Sequence, residues 1–242
     1  MAKDFTVLGV RLKSYSMTEI IDKIKVHIEE NKQIFIVTAN TEIVMLGKKD
    51  ASFKNILNTA DFVTPDGIGV VWAGRYLGHE VPERVAGFDL AQNLLKTASE
   101  SNLSVFFFGA APSIAEKALV NAKLKYANLN CVGCRDGFFR DEETQEIIEQ
   151  INSAQPDILF LALGAPKQER WLHDNRHLLK SKVLIGVGGT FDVMAGVSKR
   201  APIYWQKLGL EWLYRLCREP KRLGRMLVIP QFMLYVLFTR KH

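Results

Sequence analysis

The chain has 242 residues, 48% hydrophobic and 24% charged, with a formal net charge of +6. That is enough to bury one full core plus an appendage, and the positive balance points to an anionic partner: phosphate, nucleic acid or acidic lipid. Three cysteines, an odd number, exclude a disulfide framework, and no stretch reaches the roughly 20 apolar residues of a spanning helix.

The first residues, Met1 to Leu12, lack the long apolar core of a signal peptide, so a cytoplasmic location is expected. Phe5 to Lys13 reads as a strand or hairpin. Ser16-Met17-Thr18-Glu19 is a capping box that opens a helix to about Asn31. Ile34 to Val37 is a continuous apolar run of the kind buried on both faces of a parallel sheet, and it ends in Thr38-Ala39-Asn40 before a second helix.

The same unit recurs. Asp61 to Thr64 meets Pro65-Asp66-Gly67, Ser104 to Phe108 meets Gly109-Ala110-Ala111-Pro112, and Asp157 to Leu163 meets Gly164-Ala165-Pro166-Lys167. Val183 to Val187 then meets Gly188-Gly189-Thr190-Phe191-Asp192. Helices are expected to follow, for example at Ser113 to Tyr126 and Glu142 to Ala154. Strands alternating with helices imply an α/β, Rossmann-like fold: a mostly parallel sheet, helices on both faces, right-handed crossovers. Ligands of such sheets bind beyond the carboxyl ends of the strands, where these polar and glycine turns collect.

Composition shifts after about Gly196. Residues 1–196 read as the catalytic unit, and residues 197–242 as an appendage dense in Arg, Trp and Leu. Arg215, Arg218, Arg222 and Arg225 recur at helical spacing and form one stripe if Pro220 only kinks the axis. A basic amphipathic segment of this kind suits a membrane surface better than a polynucleotide; a packed terminal helix or an oligomer contact is the plainer alternative.

No GxxxxGK[ST] loop occurs, and Trp72 stands where the third glycine of a dinucleotide fingerprint belongs. There is no Asp-x-Asp to anchor a metal on a diphosphate, so neither a metal nor a cofactor is expected. Cys131-x-x-Cys134 has no companion pair and reads as packing.

Asp66, between a strand-ending proline and a glycine, is placed to take a proton from a hydroxyl nucleophile, or is merely a turn or N-cap residue. Thr38 and Asn40 orient sugar hydroxyls or cap the next helix. Gln168 sits after a Gly-Ala-Pro turn where helix N–H groups face an anion, or is a plain first-turn residue. Gly188 and Gly189 let backbone approach a ligand, with Asp192 in reach of ribose hydroxyls, or form a tight connection. Phe138 stacks on a base or belongs to the core.

Taken together, Thr38-Ala39-Asn40, Thr64-Pro65-Asp66-Gly67, Arg84-Val85-Ala86-Gly87, Phe108-Gly109-Ala110, Leu163 to Glu169, Gly186 to Asp192 and Arg200-Ala201-Pro202 resemble the WecG/TagA/CpsF glycosyltransferases, the TagA branch of wall teichoic acid synthesis most. The resemblance runs in order from near the N-terminus to about Arg225. It implies metal-independent, inverting transfer of N-acetylmannosamine from UDP-N-acetylmannosamine to undecaprenyl-diphosphate-N-acetylglucosamine, giving a β-1,4 linkage. Asp66 becomes the general base; Arg84 meets the charge of UDP or of the acceptor diphosphate; Thr38, Asn40 and Gln168 position sugar. Gly109, Phe138, Gly188, Gly189 and Asp192 are the expected UDP contacts, and Arg215, Arg222 and Arg225 the expected lipid-diphosphate contacts. The appendage is expected to complete the site and dock on the inner leaflet, with a homo-oligomer that rearranges there among the implications. The competing readings are a nucleotide-dependent oxidoreductase and a non-catalytic membrane or nucleic-acid binding module.

Overall fold

A computed structural model gives the fold; it describes residues 4–218, 224 and 227–239, and of residues 207 and 215 the backbone alone. Strands β1 (Asp4–Val7) and β2 (Val10–Lys13) pair antiparallel through the two-residue turn Leu8-Gly9, both at positive φ, as a tight hairpin turn requires. Helix α1 (Met17–Glu29) opens with both capping-box bonds: Glu19 N–H donates to Ser16 Oγ at 3.2 Å, and Ser16 N–H to Glu19 Oε2 at 2.8 Å.

The main sheet has six strands: β3 (Ile34–Ala39), β4 (Phe62–Pro65), β5 (Ser104–Gly109), β6 (Asn130–Arg135), β7 (Ile158–Ala162) and β8 (Val183–Gly186). They lie in the order β4-β3-β8-β7-β5-β6, every neighbouring pair parallel. Side chains alternate between two cores because a strand has a period of two. Phe106 and Phe108 enter one core, and Val105 and Phe107 the other. The first core is closed by α2 (Thr41–Lys49), α3 (Ala51–Thr59), α4 (Ile68–Tyr76), α7 (Thr144–Ala154), α8 (Lys167–Asn175) and the hairpin. The second is closed by α1, α5 (Gly87–Glu100), α6 (Ile114–Lys125) and α9 (Thr190–Met194), where Phe107 and Phe191 stack at 4.8 Å. Full burial of one such ring is worth about 2–3 kcal/mol.

Crossovers toward β4 (through α2–α3, α7 and α8) run over the first face, and those toward β6 (through α5 and α6) over the second. Opposite directions thus use opposite faces, so these crossovers share a single hand. The chain leaves β5 toward β6 but leaves neighbouring β7 toward β8, so the connections diverge between them, the kind of switch point beside which ligands of open α/β sheets bind.

β6 is not anticipated by the sequence. Its residues, Asn-Cys-Val-Gly-Cys-Arg, form a half-exposed edge strand with a register irregularity opposite Val105/Phe106, so no apolar run marks it. Both cysteines of the CxxC lie on it, packed beside the second core. Burial pushes the Cys131 thiol up to about 11 and raises that of Cys134, which makes both poor nucleophiles.

Beyond α9 come α10 (Ile203–Lys207), α11 (Glu211–Arg218) and a C-terminal helix, Val228–Thr239. Pro230 is tolerated in that helix because it falls in the first turn. Phe232 and Val236, one turn apart, are fully buried against α2 and α4, while Leu234, Tyr235 and Phe238 are exposed. Among the described residues no helix is long and apolar enough to cross a membrane. Arg222 and Arg225 of the expected arginine stripe lie outside the described residues, as do Pro220, the expected kink, and the side chain of Arg215.

Candidate active site

At the β4 end of the sheet, Thr38 pairs in register with Thr64, and Asp66 follows one residue after β4. Asp66 N–H donates to Ala39 C=O at 3.0 Å, which pins the turn to β3. The next loop returns when Val85 N–H donates to Pro65 C=O at 3.0 Å, and Gly87, first residue of α5, donates its N–H to Asp66 Oδ2 at 3.1 Å. The carboxylate is thereby oriented by a helix N-terminus, where negative charge is favoured. A Cβ on Gly87 would lie 2.7 Å from Thr38 Oγ1 and 3.5 Å from Asp66 Oδ2. Only glycine lets hydroxyl, carboxylate and helix end meet so closely.

Asn40 is the N-cap of α2, its Oδ1 accepting from Ile43 N–H at 3.0 Å. The capping reading is therefore realised; it uses the amide oxygen, and the amide nitrogen is a separate donor. Arg84, in the loop between α4 and α5, donates from Nη1 to Glu211 Oε2 at 2.7 Å. Arg200 grips Asp89 in the first turn of α5 with two bonds of 2.6 and 2.7 Å, and its Nε lies 3.5 Å from Glu211 Oε1. Burial alone would lower the Arg200 pKa; the bonds and charge of Asp89, reinforced by Glu211, outweigh that and raise it.

In the middle of the sheet, Gln168 is buried beneath the Gly188 turn. Its Oε1 accepts from Gly188 N–H at 3.0 Å, and its Nε2 donates to Glu169 Oε1 at 2.7 Å. A Cβ on Gly186 would sit 2.7 Å from Gln168 Nε2. Gln168 thus ties the β7 turn, with its cis Ala165–Pro166 bond, to the β8 turn. Asp192 lies in the first turn of α9, its Oδ2 3.6 Å from where a Gly189 Cβ would stand.

Toward β6, Gly137 N–H donates to Ala110 C=O at 2.8 Å, and a Cβ there would lie 3.1 Å from Gly109 Cα. Phe138 is 73% exposed and borders a depression of about 450 Å³ with Phe139, Arg140, Glu143 and Lys167; Lys167 Nζ stands 4.4 Å above the Phe139 ring. Phe138 is therefore not a core residue. The structure brings Thr38, Asn40 and Asp66 together at one end, Gln168 with Gly188 in the middle, and Gly109 with the Phe138 turn at the other. The ends are five strand spacings apart, about 24 Å.

Three participants are given no role of their own by the sequence: Gly87 and Glu169, which lie within the motifs of the family resemblance, and Glu211. Glu169 sits in a charged run, Lys167 to Arg170, that looks like a solvated helix face, yet it is 1% exposed and its Oε2 has no hydrogen-bond partner among the described residues. Burial raises its pKa, and the Gln168 bond only partly opposes this. A carboxyl whose native pKa stands above its unfolded value adds stability below the unfolded value, here near 4.5, and that contribution is lost as pH rises through the native pKa. Glu169→Gln keeps an oxygen for Gln168 and has no charge to bury. Thermal unfolding of both proteins between pH 4.5 and 8 is expected to show the wild type losing ground to the variant as pH rises; parallel curves would mean that Glu169 is not held neutral.

A family model described as the glycosyl transferase WecG/TagA/CpsF family matches residues 5–242. Three relatives are similar along most of their length, each carrying the name N-acetylglucosaminyldiphosphoundecaprenol N-acetyl-beta-D-mannosaminyltransferase. The Bacillus spizizenii protein is 39% identical over 211 residues, covering 87% of this chain and 81% of its own. The Bacillus subtilis protein is 36% identical over 238 residues, covering 98% and 92%. A Staphylococcus aureus protein is 34% identical over 229 residues, covering 94% and 89%.

Proposed function

Because the chain belongs to the WecG/TagA/CpsF glycosyl transferase family, we propose that this glycosyltransferase moves N-acetylmannosamine from UDP-N-acetylmannosamine to undecaprenyl-diphosphate-N-acetylglucosamine, in teichoic acid synthesis. The observation that carries the reading is the meeting of Asp66, Thr38 and Gly87 at the carboxyl ends of β3 and β4, beside the Arg84 loop. Asp66 takes the proton of the acceptor's C4 hydroxyl as that oxygen attacks the anomeric carbon. The bond from that carbon to the UDP oxygen breaks on the opposite face, so configuration inverts and the β-1,4 linkage forms. Arg84 balances charge on departing UDP or on the acceptor diphosphate. Thr38 and Asn40 orient sugar hydroxyls, while Gln168 holds the Gly188 turn against the sugar.

The donor fits the dimensions of the edge. From β8 to β6 is three strand spacings, about 14 Å, a span on which diphosphate at Gly188 and Gly189, ribose at Asp192 and uracil toward Gly109 and Phe138 can be laid out. From β8 to β4 is two spacings, about 10 Å, left for the two sugars. The division into residues 1–196 and an appendage of 197–242 belongs to the same reading. The appendage brings Arg215, Arg222 and Arg225 to the lipid diphosphate of the acceptor and docks on the anionic inner leaflet through the C-terminal helix, whose exposed Leu234, Tyr235 and Phe238 are suited to the interface. Twelve residues make a helix of about 18 Å, short of the ~30 Å hydrocarbon core, so it lies in the surface and does not span.

One assay tests the whole reading: UDP release from UDP-N-acetylmannosamine in EDTA, with the lipid-diphosphate-N-acetylglucosamine acceptor either omitted or embedded in anionic vesicles. Release is expected only with acceptor, undiminished by EDTA, and falling with salt as the protein leaves the vesicles. Release without acceptor, or abolition by EDTA, would reject the acceptor or the metal-free mechanism respectively. Absence of UDP binding would sink the reading.

A further inference from the structure

The ion-pair cluster that joins α11 to the Asp66 end of the sheet is not accounted for by any role so far given. Glu211 is the first residue of α11, a position where a carboxylate is favoured by the helix N-terminus. One of its oxygens accepts from Arg84 at 2.7 Å and the other faces Arg200 at 3.5 Å, with Glu211 and Arg84 side chains only 15% and 20% exposed. Arg200 in turn holds Asp89, two residues after the Gly87 that holds Asp66. The contacts run in a chain from Asp66 through Gly87, Asp89, Arg200 and Glu211 to Arg84, in the loop between α4 and α5. A separate contact brings the same segment in. Gly209 lies against Ile68, two residues beyond Asp66, where a Cβ would stand 3.0–3.2 Å from three atoms of that side chain.

We propose that Glu211 is a positioning residue for transfer: it holds the Arg84 guanidinium in its working orientation across the 2.7 Å ion pair. The neighbouring Val85 bond to Pro65 fixes the backbone beside Arg84 but not its side chain, and a long arginine side chain would otherwise sample many rotamers. Glu211 removes that freedom before substrate arrives, which is the preorganisation a transition-state contact needs. A guanidinium has five N–H donors, so the bond to Glu211 does not exhaust its capacity for phosphate. The cluster as a whole is balanced, two arginines against two carboxylates, and it presents Arg84 without burying an unpaired charge.

The inference rests on the assignment of Arg84 to the diphosphate charge, and the experiment separates the two. The rate constants of UDP release would be measured for wild type, Arg84→Ala, Glu211→Ala, Glu211→Gln and the Arg84→Ala/Glu211→Ala double variant, together with thermal unfolding of each. Glu211→Ala is expected to lower kcat at least tenfold with donor KM within about twofold. Glu211→Gln, whose amide oxygen still accepts from Arg84, should stay within about fivefold of wild type. The double variant should be no slower than Arg84→Ala alone, because an orienting partner has no effect once the group it orients is gone. Losses that multiply in the double variant, or a Glu211→Ala loss that follows a lowered Tm, would make the role structural and overturn the inference. Glu211→Ala activity equal to or above wild type would overturn it too, the latter by showing that Glu211 competes with substrate for Arg84. A fully active Arg84→Ala would reject both the assignment of Arg84 and the inference built on it.

Discussion

Asp66→Asn is expected to lower acceptor-dependent UDP release by about 10²–10⁴-fold, the usual contribution of general-base catalysis, while UDP still binds. The substitution is chosen for what it preserves. An asparagine oxygen can still accept the Gly87 N–H at the 3.1 Å now spanned by Asp66 Oδ2, and the backbone bond to Ala39 is untouched. Asparagine is also as good a turn and N-cap residue as aspartate. If Asp66 were only a structural residue of the Pro-Asp-Gly turn, the variant would work nearly as well as the wild type. A neutral amide, in contrast, cannot take the acceptor's proton. Release within a few-fold of wild type would therefore remove Asp66 from the chemistry and leave the turn reading.

Gly109→Ala is expected to cost about 4 kcal/mol of folding free energy, a large fraction of the ~5–15 kcal/mol margin of an ordinary domain. Two effects add. Gly109 has φ +123, which an L side chain rarely adopts, at about 1–3 kcal/mol. A Cβ there would also stand 2.6 Å from the carbonyl carbon and oxygen of Ala162, backbone of the neighbouring strand that cannot step aside as a flexible side chain would. Overpacking of this kind costs about 1–3 kcal/mol more. Gly78→Ala is the control: φ is +88 but nothing lies within 4 Å, so only the strain of about 1–2 kcal/mol applies. Denaturant unfolding of the two variants measures the difference. Equal losses would mean that the β5–β7 contact is looser than drawn. Because the requirement for glycine is already met by the fold, lost activity in Gly109→Ala would not by itself argue that this residue touches the nucleotide.

The sequence alone determined the elements whose signal is local. Continuous apolar runs specify β3, β5, β7 and β8 because strands buried on both faces need apolar side chains at every position. The Ser16–Glu19 capping box specifies the start of α1, and Gly109, Gly164 and Gly188 specify the turns after β5, β7 and β8. Ordered motifs at the right spacing carried the family resemblance. β6 stayed hidden because an edge strand is only half-buried and needs no apolar run. The tertiary structure also decided pairings between residues far apart in the chain. Strand order separates Phe138 from Asp66 by the width of the sheet, and sequence distance contains no such information. Gly87 approaches Thr38 across 49 positions, and Glu211 reaches Arg84 across 127. Glu169 is buried in a charged run because the sheet closes over it and Gln168 bridges two turns. A carboxylate's neighbours fix its chemistry, and here those neighbours are set by packing and not by sequence order.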